Sequence, residues 1–136
     1  MARYFFDTNA LVYAEDDSLP AKRKRAINLF AEHRRARTGV VSLQVLQEYF
    51  VTVTRKFGLD PAIARRKVEL ISEFDVVTLD TQDVLAAIDF HRLHKFSFWD
   101  ALILRAAKQS GCTVLLSEDM QAGRDIDGIK IVNPFS

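Results

Sequence analysis

Short runs of β-branched and aromatic residues alternate along the chain with longer stretches in which apolar residues recur every three or four positions. Such alternation predicts a parallel sheet wrapped by helices. The strand-like runs are Arg3 to Phe6, Val40 to Ser42, Val76 to Leu79, Thr113 to Ser117 and Ile129 to Val132. Helices are expected from about Pro20 to Arg37, Leu43 to Phe57, Pro61 to Phe74, Gln82 to Lys95 and Phe98 to Ser110. Pro20 and Pro61 suit first helical turns, and Gly39, Gly58 and Gly111 follow helical stretches, where left-handed caps are expected.

Two of these helices differ in pattern. From Leu43 onward, Leu46, Tyr49, Phe50, Val53 and Phe57 build one apolar face, which leaves Glu48 on the other side with Gln44, Gln47, Thr52 and Arg55. Periodicity alone therefore makes Glu48 a solvated residue, unless a cleft lies on that side. The stretch from Phe98 to Ala107 is apolar almost all round and is expected to be largely buried. Its only acid, Asp100, falls in the first turn, where Ser97-Phe98-Trp99-Asp100 fits a capping box.

At 136 residues, 49% of them hydrophobic, the chain is expected to form one globular domain over 1–136, with about two-thirds of its unfolded surface buried. Cys112 is alone and no leader pattern precedes the first strand, so the cytoplasm is the expected compartment. A net charge of +1 conceals segregation: Pro20 to Lys67 holds twelve Lys or Arg against Glu32, Glu48 and Asp60. Solvated helix faces explain such runs, and so does an anionic partner.

Chemistry concentrates on acids. Asp7 ends the first strand-like run, and Asp119 lies just beyond the fourth. In open parallel sheets the ligand crevice lies outside the carboxyl ends of the strands, so such acids can converge there. Gathered carboxylates repel, and a divalent metal both relieves that repulsion and supports phosphodiester hydrolysis. Asp80 also follows an apolar strand, so position leaves several acidic clusters open. His91 and His94 lack further ligands for a zinc set, and the five scattered glycines form no phosphate-binding loop.

The segment Tyr4-Phe5-Phe6-Asp7-Thr8-Asn9 through Tyr13 resembles the opening strand and helix of PIN-domain ribonucleases. Phe98-Trp99-Asp100-Ala101-Leu102-Ile103 resembles their central helix motif, and Leu115-Leu116-Ser117-Glu118-Asp119-Met120 makes a third match. With Glu48 between them, the likeness spans nearly the whole chain and is greatest to VapC-like toxins of VapBC-type toxin–antitoxin pairs. The resemblance implies a three-layer α/β/α sandwich around a mostly parallel, five-stranded sheet. It also implies a four-acid site of Asp7, Glu48, Asp100 and Asp119, serving as catalytic residues and ligands of Mg²⁺ or Mn²⁺, with Thr8, Asn9 and Ser117 in support. The implied activity is hydrolysis of RNA to 5′-phosphate and 3′-hydroxyl ends. An antitoxin protein and a second copy of the chain are the implied partners.

Two other classes remain in view. A phospho-receiver module would use Asp80 as its phosphoacceptor, but receivers carry paired acids after the first strand, where this chain has Asp7-Thr8. A haloacid-dehalogenase-type phosphatase needs an acid at the position of Asn9.

Overall fold

The computed structural model describes residues 2–136. Six strands form one sheet: β1 (Tyr4–Phe6), β2 (Gly39–Ser42), β3 (Asp75–Val77), β4 (Val114–Leu116), β5 (Asp125–Ile126) and β6 (Ile129–Val132). Their order across the sheet is β3-β2-β1-β4-β6-β5. All neighbours are parallel except β5 and β6. Helices flank this sheet in a three-layer α/β/α arrangement: α1 (Thr8–Val12), α2 (Pro20–Ala36), α3 (Leu43–Arg55), α4 (Pro61–Ile71), α5 (Thr81–His94) and α6 (Phe98–Gln109). The sheet thus has six strands where five were expected. The extra one is a two-residue antiparallel edge, joined to β6 through Asp127 and Gly128, both at positive φ.

Burial explains the strand pattern. All four residues of β2 are buried, as a strand covered on both faces requires. Phe5, Phe6, Val40, Val41, Leu115 and Ile131 form the centre of the core. Gly39 opens β2 instead of capping α2, and Arg37 takes the left-handed cap position with φ 57°. A Cβ on Gly39 would stand 2.4 Å from Phe74 Cζ, so close approach is what demands glycine there.

The strand order reverses at the middle of the sheet. From β1 the chain moves outward through β2 and β3, then returns to place β4 on the other side of β1. Crossovers leave in opposite directions at such a switch point and open a crevice above the strand ends. Asp7 follows β1 directly, and Asp119 comes three residues after β4 ends.

Candidate active site

Asp7 is anchored from several directions. Its backbone N–H donates to Leu116 O at 3.0 Å, extending the β1–β4 ladder by one residue. Its carboxylate caps α1 by accepting from Thr8 N at 2.8 Å, and accepts from Ser117 Oγ at 2.8 Å. The side chain is buried, with only 8% of the residue exposed. Burial pushes its carboxyl up to about 6, against the two hydrogen bonds and with help from the charges of Asp100 and Glu48.

Asp100 reaches the same cleft from the first turn of α6. Ser97 caps that helix by accepting from Asp100 N at 3.1 Å, which leaves the carboxylate of Asp100 to line the cleft. Burial raises its carboxyl above the ordinary value despite the Ser97 contact, and the charge of Asp119 adds to the rise. Asp119 is held by Asn9, whose Nδ2 donates to its Oδ2 at 3.1 Å. Glu48 is exposed on α3, as its periodicity indicates, yet that side of the helix is the cleft wall. Thr8 Oγ1 donates to Glu48 Oε1 at 2.9 Å.

The four acids therefore share one cleft of about 130 Å³ with Thr8 and Asn9. Among the described residues, no Lys or Arg lines it. This oxygen-only, uncompensated set is chemically suited to a hard divalent cation, since unpaired carboxylates at such a site raise one another's proton affinity. No three of them already stand in ligand geometry among the described residues, and hydrogen bonds from Thr8 and Asn9 hold three of them, Asp7, Glu48 and Asp119.

Glu118 faces away from the acids. It accepts from Tyr13 Oη and, at 2.6 Å, from Lys22 Nζ, while its backbone N–H donates to Asn9 Oδ1 at 3.0 Å. Burial pushes the Glu118 carboxyl up, but the Lys22 and Tyr13 contacts prevail and hold it below its usual range. The residue is a strut for the loop that carries Asp119. Asp80 lies elsewhere, capping α5 in a reciprocal box with Asp83. That engagement and the strand order, which differs from the flavodoxin-like order of receivers, remove the phosphoacceptor reading.

Two wall residues were not among the expected site residues. Gln44 carries a buried amide nitrogen with no hydrogen-bond partner among the described residues, a donor suited to an oxyanion. Trp99 was expected inside a buried helix but is 63% exposed, because the first turn of α6 forms the rim of the cleft while Ala101 to Leu104 are buried.

A PIN-domain family model matches residues 4–124. The chain belongs to the PIN-domain family. Similar folds include Mycobacterium tuberculosis VapC20, a sarcin–ricin loop cleaving toxin, with TM-score 0.69 and 20% identity over 85% of this chain and 89% of that one. A toxin–antitoxin complex from Klebsiella pneumoniae gives TM-score 0.69 and 19% identity, covering 97% of this chain and 98% of that chain. A DNA-bound VapBC from Salmonella typhimurium gives 0.65 and 22%, covering 96% and 97%. No curated protein matches the chain by sequence.

Proposed function

We propose that this PIN domain, as one unit over 1–136, is a metal-dependent endoribonuclease acting in the cytoplasm as the toxin of a VapBC-type pair. The observation that carries the reading is the cleft at the switch point, lined by Asp7, Glu48, Asp100 and Asp119 with no Lys or Arg among the described residues. Asp7, Asp100, Glu48 and Asp119 would hold Mg²⁺ or Mn²⁺. When bound, such an ion supplies Lewis-acid neutralisation of phosphoryl charge and a more acidic water. Burial raises the free Asp7 carboxyl to about 6, so binding of the ion there would displace a proton near neutral pH. Thr8, Asn9 and Ser117 keep the acids oriented, and the unpaired Gln44 amide offers a hydrogen bond to a non-bridging phosphate oxygen.

Support for an antitoxin partner comes from the toxin–antitoxin assemblies among the similar structures, and homodimerisation is proposed on family likeness. Purified wild type should cleave a structured RNA with Mg²⁺ or Mn²⁺ and lose cleavage in EDTA. Asp7→Asn and Asp100→Asn should each reduce the rate by about 10²-fold or more, the scale of losing a preorganised electrostatic group. Full activity in either folded variant would remove the four-acid assignment. Expression of the wild type alone should arrest growth, and co-expression of its antitoxin should relieve the arrest; an active nuclease that leaves growth untouched would be a processing or decay enzyme.

A further inference from the structure

Trp99 is the only tryptophan of the chain and stands with more than half its surface in water. Its neighbours explain why the ring is nonetheless held. Phe98 meets it edge to face at 5.3 Å and 65°, and Phe98 is packed against the small cluster of Ala87, Ala101 and Leu102. Trp99 is thus anchored through Phe98 while much of its surface stays open beside the cleft. An indole normally gives up a large apolar area to packing, and here the fold leaves that area uncovered.

We propose that Trp99 is a stacking platform for an unpaired nucleobase next to the scissile phosphate. The inference rests on the nuclease reading for what occupies the carboxylates, and adds a subsite to it. Trp99 and Asp100 are consecutive and line one cleft, so a phosphodiester held at the acids brings a flanking base to the indole. The surroundings favour a nucleotide over an apolar protein segment. Covering Trp99 with an apolar partner would also desolvate Asp7, Glu48 and Asp100, whereas a nucleotide lays an apolar base face on the indole and leaves its hydrated backbone beside the acids. Bases inside a duplex already have both faces stacked. The platform therefore selects single-stranded loops or ends, with purines preferred for their larger faces.

Because Trp99 is the sole tryptophan, its emission reads the contact directly. The test uses full-length Asp7→Asn protein, which binds without cutting, titrated with oligoadenylate in Mg²⁺ and then with a blunt RNA duplex. Binding is followed in parallel by the anisotropy of a dye on the RNA. Saturable quenching by oligoadenylate, absent with the duplex, is expected. In the catalytically competent background Trp99→Ala should raise KM by about 5- to 100-fold with little change in kcat, the scale of one lost stack, and Trp99→Phe should recover most of that loss. RNA binding by anisotropy with unchanged emission would overturn the platform. So would an emission change produced by raising protein concentration without RNA, which would make Trp99 an interface residue. Cleavage with unchanged emission would leave the nuclease standing without the platform. Quenching without cleavage would keep the platform and remove the nuclease.

Discussion

Asp7 answers to two opposing demands. Its position at the end of β1 places it in the acidic cleft, and its burial makes the charge costly there. An unfolded aspartate titrates near 3.8 and folded Asp7 near 6, so between those values the folded state holds the extra proton. Stability of the metal-free protein therefore falls as pH rises through that window and stays lower above it, by on the order of 3 kcal/mol. Asp7→Asn should melt several degrees above wild type at pH 7.5 in chelator, with the gap closing at pH 4. A variant no more stable than wild type at pH 7.5 would contradict this account. At this scale, strand ends and a lone acid on an apolar helix offered Asp7, Asp119 and Asp100 as candidates together with Asp80, and the family resemblance chose among them. Glu48 was different: helical periodicity reads one helix at a time, whereas its cleft is assembled from the starts of α1 and α6 and one side of α3.

Between elements, the contact that allows least slack is Gly39 against Phe74. The Phe74 ring is locked, stacked on Phe30 at 4.8 Å and meeting the edge of Phe6 at 5.1 Å. Gly39→Ala should therefore cost about 1–3 kcal/mol through overpacking, read as a lower urea midpoint at constant slope. Phe74→Leu in the same chain should return part of that loss, and simple additivity of the two changes would refute the clash. Most elements were legible because their periods run over enough residues, and their ends shifted by only a few positions. β5 has two residues, too few for any period, although the Asp127-Gly128 pair that turns it into β6 is a sequence signal for a hairpin. α1 has five residues and was visible only through resemblance. Trp99 was misplaced because an apolar run does not show where a helix leaves the core.

For the whole molecule, the basic middle third is less available to an anionic partner than its count indicates. Lys22, Arg23, Arg34, Arg65 and Lys67 pair with Glu118, Asp17, Glu73, Glu69 and Glu15. Such surface pairs contribute little stability, but they reduce the field that would steer RNA. The net deficit lies at the acids, so cation binding should be linked to folding. Saturation with Mn²⁺ at about a hundred times its dissociation constant should add about 2.7 kcal/mol, seen as a higher melting temperature in calorimetry. Asp100→Asn should lose most of that increment; an equal rise in both proteins would place the ion elsewhere. The central strand pair has a consequence for synthesis as well. β1 and β4 bring Asn9 against Asp119, 110 positions later in the chain. Emergence from the ribosome is vectorial, so no early fragment can hold both residues, and β4 still awaits β6 as its outer neighbour. The nascent chain cannot close the acidic cleft around Asp119 until β4 has emerged and found β1, a delay written into strand order.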